Sequence, residues 1–528
     1  MFWRTKKVAK RRPPAVRRLR AEAFESRHML SGVVNVVIAP VGAAGTLTLL
    51  GDNAGNQVEL QADPTNPGTF IISGTNNTLL QVNGGGVTVQ SQTVNGINLD
   101  INVQLGHGSN TFDFEGPTGG GTSTAPADLD IVNLGTDTNI LNNVTVIGNL
   151  NVTKAPGNFG LSTLTISNST VQGDTVVNNI DGGASGGSSF TTLINSSLQG
   201  GGPTHTALTL VNNGGDAELS VQGTTLLGAS AFGVVPPAQP EVVVVNGDGG
   251  GKSIFTGATT VYGGLTIVNG DSLPGQTETV SFNGTNVLGP TNIADGTGAA
   301  HFSNTRLIVT NSNLGTKLAT VAGPTPAPVI VQNNAGFDSL NMSGSQLPWG
   351  LAVNNDLNAA GASNWGSTTS ITSSSIGTRI GGPSLPVAGD ALQIIGDNGP
   401  DVVNVATSTI GGELDLGALR GGNNSVTLDS NTMGSLVVVT GAGNDFLKIA
   451  GGVIQQSIFV NLGGGQDTMQ LRHGTTPING STIPVMPDPL LGALFVEGGT
   501  GVDTFLSDAD LASIVSTLHP LDFETFGN

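Results

Sequence analysis

Aspartate in a glycine-rich turn is the residue type here with the clearest chemistry, because a carboxylate among backbone carbonyls offers hard oxygen ligands to a divalent cation. Asp401, Asp445, Asp467 and Asp503 all sit in such turns, in the segments GDNGPD, TGAGND, LGGGQD and GGTGVD. The second and third are 22 residues apart, and the third and fourth 36. If each interval is one turn of a repeating structure, these carboxylates stack. Stacked carboxylates repel, which leaves two outcomes: a shared Ca2+, or corner residues that hydrogen-bond the local backbone as Asx-turns. Asn110 and Asn424 occupy like places, and a neutral amide adds little to a cation site.

Other chemistries find less support. There is no Cys, which removes thiolate metal sites, disulfides and cysteine nucleophiles together. His107, His205, His301, His473 and His519 are far apart and form no metal-ligand or triad spacing. Gly250-Gly251-Lys252-Ser253 lacks the first glycine of a phosphate loop. Asp397 with Asp401, or Glu413 with Asp415, could pair as acid and base, and 413 and 415 share one face of a strand. Beyond residue 30 the basic side chains stand singly, and the large aromatic platforms useful for sugar stacking are Trp349, Trp365 and Tyr262.

Charge divides the chain. Residues 1–30 hold 10 of the 18 Lys and Arg, whereas the rest holds 8 basic against 35 acidic side chains, a net of −27. An acidic body of that size repels a polyanion, so nucleic acid is not an expected partner. A basic front end is what export signals use, although Val33 to Ala44, the apolar stretch behind it, is too short to span a bilayer. No segment is long and apolar enough to predict a transmembrane helix. Phe24-Glu25-Ser26-Arg27 followed by Met29-Leu30-Ser31 resembles the LEPR-XLL element at the start of many large bacterial surface and extracellular proteins. Phe for Leu, Ser for Pro and Met for Leu depart from that pattern. The resemblance covers about a dozen residues and implies export or surface association.

The elements that must position the aspartates follow from a repeat. Short alternating apolar runs flank each glycine turn, and the first inward apolar residue after the turn falls at Val403, Val426, Leu447, Met469 and Phe505. Leu219, Ile254, Val280 and Phe302 take like places upstream. A step near 22 residues with period-two patterning predicts one coil of a β-solenoid per repeat, each strand stacked on its equivalent in the next coil. The expected fold is all-β: a right-handed single-strand parallel β-helix with a short C-terminal helical cap, with a β-roll or stacked β-sandwich modules as alternatives. At roughly 25 residues per coil, about 19 coils give a rod of about 90 Å. The expected organisation is a basic leader (1–31), an N-terminal β module (32–114), a Gly/Pro/Thr-rich linker (115–128), the solenoid (129–506) and a cap (507–528) built on the helix-like segment 507–518.

Gly498-Gly499-Thr500-Gly501-Val502-Asp503-Thr504-Phe505 resembles the calcium nonapeptide of β-roll proteins in full, and 440–447 and 462–469 do so with one replacement each. That resemblance implies Ca2+ at Asp445, Asp467 and Asp503, with Asn424 and Asp401 one and two coils earlier. The tandem nine-residue spacing of that family is absent. The expected function is a secreted or cell-surface structural or adhesive rod without catalysis, meeting cell-envelope or extracellular-matrix components such as polysaccharide. The alternative is a carbohydrate-active β-helix enzyme of the polysaccharide lyase or hydrolase class.

Overall fold

A computed structural model describes residues 32–41, 44–117, 119–155, 160–180, 187–201, 206–213, 216–228, 241–247, 249–270, 276–295, 304–315, 328–333, 338–355, 366–377, 390–396, 398–472, 494–508 and 523–527. The described chain is all strand and turn, and its strands join in one continuous hydrogen-bonded array whose neighbours are mostly parallel. This is the parallel β-helix that the repeat predicts.

Most coils have three strands, and in the C-terminal coils these run together, as in Thr409–Gly421 and Ser425–Ala442. Sheet A starts from Ile97–Gln104 and Leu129–Asn133 and runs through Val242–Asn246 and Leu351–Asn354 to Leu494–Glu497. Sheet B stacks Ser109–Glu115, Thr136–Asn142, Ser162–Ser167 and their successors down to Thr504–Ser507. Sheet C is narrow, made of pairs such as Thr170–Val171 and Ser375–Ile376. Alternation decides what faces in: Leu208, Leu210, Val242, Val244, Leu265 and Ile267 are fully buried or nearly so, and the residues between them face out. Phe255 and Phe282 stack inside the rod on adjacent coils, with centroids 5.2 Å apart.

The C-terminal register follows the sequence pattern residue for residue: Val403 pairs with Val426, Val426 with Leu447, Leu447 with Met469, and Met469 with Phe505. Further upstream the pattern slips. Leu219 stacks on Ser253 and Ser253 on Val280, so Ile254 faces out. A serine points inward there because Asn246 Nδ2 donates to its hydroxyl at 3.3 Å. Val280 is followed by Leu307, whereas Phe302 lies outside the described residues. The coil count also changes. From Gln57–Ala62 to Thr504–Ser507, sheet B has 16 successive parallel levels among the described residues, against about 19 expected for residues 32–506. Middle coils advance 33 and 34 residues at 305–338 and 367–401, against 21 and 22 at 424–445 and 445–467, before a last step of 36 at 467–503.

The first strands are paired differently. Val33–Val41 and Ala44–Gly51 form an antiparallel hairpin, as do Gln57–Ala62 and Phe70–Gly74. Ala44–Gly51 and Gln57–Ala62 then run parallel to Ile97–Gln104 and Ser109–Glu115, which join them to the solenoid. Within 115–128 lies the strand Ser123–Ala125, the first of sheet C. The leader (1–31) and residues 509–522, most of the expected cap helix, lie outside the described residues, and Ser507 ends a strand.

Candidate functional site: the polar corner columns

The four aspartates do stack. Register places Asn110, Asp137, Ser162 and Ser189 on one line at the corner leading into sheet B, and far along it Asp338, Ser367, Asp401, Asn424, Asp445, Asp467 and Asp503. Each C-terminal member accepts the backbone N–H of its counterpart one coil earlier. Asp401 Oδ1 takes the amide of Ser367 at 3.0 Å, Asn424 Oδ1 that of Asp401 at 3.0 Å, and Asp445 Oδ1 that of Asn424 at 2.7 Å. Asp467 Oδ1 takes Asp445 N at 2.7 Å, Asp503 Oδ1 takes Asp467 N at 2.9 Å, and Glu524 Oε2 closes the line on Asp503 N at 2.6 Å. The Asx-turn reading is thus replaced by a coil-to-coil bond: each carboxylate caps its neighbour's backbone.

Glycine makes room for this corner. A Cβ on Gly443 would lie 1.7 Å from the Gly422 carbonyl oxygen, one on Gly465 1.7 Å from that of Gly443, and one on Gly501 1.6 Å from that of Gly465. The nonapeptide-like glycines are therefore explained by backbone stacked on backbone.

Electrostatics at the column are unusual. Asp445 and Asp467 are 2% and 1% exposed, and the Oδ2 of each has no hydrogen-bond partner. Burial raises the Asp467 carboxyl to about 6, against the opposing pull of the Asp445 amide, and the charges of Asp445 and Asp503 push it the same way as burial. Burial also raises Asp445, outweighing the opposing pull of the Asn424 amide. Asp137 in the same line has both oxygens engaged, Oδ1 by Asn110 Nδ2 at 2.7 Å and Oδ2 by Gly135 N at 2.9 Å. The capping oxygens of Asp401, Asp445, Asp467 and Asp503 each serve a different amide. Among the described residues no group of three or more His, Asp and Glu is arranged to hold a metal ion.

Two further polar columns run along the rod. At the corner from sheet B to sheet C, Ser169, Ser196, Ser312, Ser345, Ser374 and Ser408 repeat one arrangement. Ser345 Oγ accepts Ser312 N at 3.2 Å and donates to Ser343 O at 2.9 Å; Ser374 Oγ accepts Ser345 N at 3.3 Å and donates to Thr372 O at 2.8 Å. The residue before each is left-handed, as at Asn168, Asn195, Asn311, Gly344 and Ser373, with φ between 47° and 58°. The signal was present as NSTV, NSSL, GTTL, NSNL, GSQL and SSSI. At the end of the sheet A strands an amide ladder runs from Asn179 to Asn212 (2.8 Å), Asn246 (3.2 Å) and Asn269 (3.0 Å), and from Asn333 to Asn355 (2.8 Å). Lys154, fully buried, takes that ladder's place between Asn133 and Asn179.

The remaining candidates are dispersed. Asp415 accepts Gln393 Nε2 at 2.9 Å and Gly417 N at 2.8 Å, and Asp397 lies outside the described residues. His107 Nδ1 lies 2.9 Å from Leu134 O. Trp349 is half-buried, and Trp365 is outside the described residues together with His205, His301, His473 and His519. On the outer face of sheet B, Glu59 and Asp113 are cross-strand partners. Burial, then repulsion from Glu115 and Glu59, lifts the Asp113 carboxyl to about 7.

Comparison with known proteins adds no assignment: no family model, no curated protein and no solved structure matches the chain.

Proposed function

We propose that the chain is a structural rod of the cell surface or extracellular space, presenting its loops and sheet faces to envelope or matrix components such as polysaccharide. One observation carries the reading: the polar side chains at three corners point along the rod and bond the next coil, as Asp401 to Asp503 and Ser345 to Ser374 do. Chemistry-bearing groups are thereby committed to holding coils in register. The LEPR-XLL-like segment, Phe24 to Ser31, supports export.

Fractionation of the source cells, with mass spectrometry of the native N-terminus, tests it. Recovery from the envelope or medium is expected; an intact leader on protein confined to the cytoplasm overturns the reading. Ca2+ remains a candidate ligand of the Asp445–Asp467–Asp503 line within this reading. Its check is a calcium-dependent rise in melting temperature that Asp445→Asn with Asp467→Asn abolishes; an unchanged rise removes the ion from these residues.

A further inference from the structure

Between residues 150 and 354 the outer face of sheet A differs from that of sheet B in carrying no charge and several aliphatic side chains. Eight successive strands, from Leu150–Lys154 to Leu351–Asn354, pair in parallel with no shift of register. Their outward positions, from Asn151 to Asn354, include no charged side chain, although the chain beyond residue 30 carries a net −27. Several are aliphatic: Val211, Val243, Val245, Val268, Ala294 and Ile330, the last 36% exposed. The corresponding outward positions of sheet B carry Glu218, Lys252 and Arg306, with an ion pair between the first two at 3.9 Å.

Parallel strands that are apolar on both faces are ordinarily covered on both faces. VVVVN and LTIVN in sheet A are of that kind: Val244 and Ile267 fill the core while Val243, Val245 and Val268 look outward. We infer that this face of sheet A is the surface on which a second copy of this chain packs, sheet against sheet, in a two-fold pair of rods. A charge-free strip is open to such a pairing. Two bodies of strong like charge repel over most orientations, and a long strip without charge is where they can meet most closely. Size agrees. Eight strands at ~4.8 Å spacing and ~15 Å of strand length give roughly 500 Å2 a side, so a pair buries about 1,000 Å2 in all, the lower limit for a specific and reversible contact. Such pairing does not depend on export.

Sedimentation velocity of the full chain from about 1 to 200 µM, at 50 and 500 mM NaCl, tests it. The expected result is a monomer–dimer equilibrium that tightens at the higher salt, because screening removes the repulsion while leaving apolar contact intact. Val245→Lys with Val268→Lys, adjacent in register, is expected to weaken association at least about tenfold. Thr279→Lys, outward on sheet B, is expected to leave it unchanged. Circular dichroism and melting confirm that each variant folds. If the lysine pair does not fold, Val245→Thr with Val268→Thr keeps the strand preference and is expected to weaken association by a smaller factor. Any of three results overturns the inference: a monomer at the highest concentration and salt, equal association by wild type and the folded sheet A variant, or equal weakening by Thr279→Lys. A monomer that instead pellets with insoluble polysaccharide would assign the face to a different partner and also overturns it.

Discussion

Two corners of the same coil solve one problem with different chemistry. Where sheet B turns into sheet C, a hydroxyl reaches the amide of the preceding coil and also donates to the carbonyl two residues back, so both of its capacities are used. Where the chain enters sheet B in the C-terminal coils, a carboxylate reaches the equivalent amide with one oxygen, and in Asp445 and Asp467 the other oxygen is left buried without a partner. A buried hydroxyl that donates and accepts costs little, whereas a buried carboxylate with half its capacity idle is driven toward its neutral form. The hydroxyl corner should therefore be indifferent to pH and the carboxylate corner sensitive to it.

The glycines give the largest expected separation. At the carboxylate corner, Gly465→Ala puts a methyl carbon 1.7 Å from the Gly443 carbonyl oxygen. Only displacement of one coil from the next relieves that contact, and a loss of more than about 4 kcal/mol is expected. At the hydroxyl corner Gly284 has a φ of 65°, but its Cβ would meet nothing closer than 4.0 Å. Gly284→Ala should cost only about 1–2 kcal/mol, the strain of a left-handed alanine. Denaturant melts of the two variants check this, and equal losses would break the comparison at its base.

How much of this was legible follows the same division. The C-terminal coils advertise themselves because their turns are short and glycine-rich, so Val403, Val426, Leu447, Met469 and Phe505 align on sight and stand in register. The aspartates also share a line, as their spacing implies, but the direction of their carboxylates was not readable: an Asp in a glycine turn looks alike whether it faces solvent, a cation or the amide of another coil. The middle coils hid behind loops of varied length, which spoil a fixed period. Their Ser and Thr caps follow Asn, Gly or Ser in a left-handed conformation, and short polar runs of that kind read as ordinary loop. Ile254 is more apolar than Ser253 and so reads as the inward residue; Ser253 holds that place through its bond to Asn246.

Acidity separates the corners next. The Asp467 carboxyl titrates at about 6 in the folded chain, raised from an ordinary 3.8. Folding thus favours its protonated form. Its contribution is full below about pH 4 and is lost as the pH rises through 6, an effect of up to about 3 kcal/mol. Asp467→Asn should flatten that dependence while keeping the cap, since Asn424 already caps in this way, its Oδ1 accepting Asp401 N at 3.0 Å and its Nδ2 lying 3.4 Å from Leu419 O. Hydrogen exchange of coils 424–507 in wild type and variant, followed from pH 4 to 7.5, measures the difference. The variant should gain on wild type as pH rises; parallel curves would mean that Asp467 is ionised throughout.

The hydroxyl corner supplies the smallest effect and the sharpest control. Ser345→Ala removes the acceptor for Ser312 N and the donor to Ser343 O in one step. An amide left without its partner inside the stack costs about 1–2 kcal/mol. Ser345→Thr keeps both bonds and should be close to neutral, because Thr224 already stands in this column, with its Oγ1 3.4 Å from Ser196 N and 3.1 Å from Gln222 O. No ionisable group takes part, so the loss in Ser345→Ala should be the same at pH 4.5 and 7.5. A pH-dependent loss there would mean that the two corners are coupled along the rod, and that protons taken up at Asp445 and Asp467 are felt well beyond the coils that hold them.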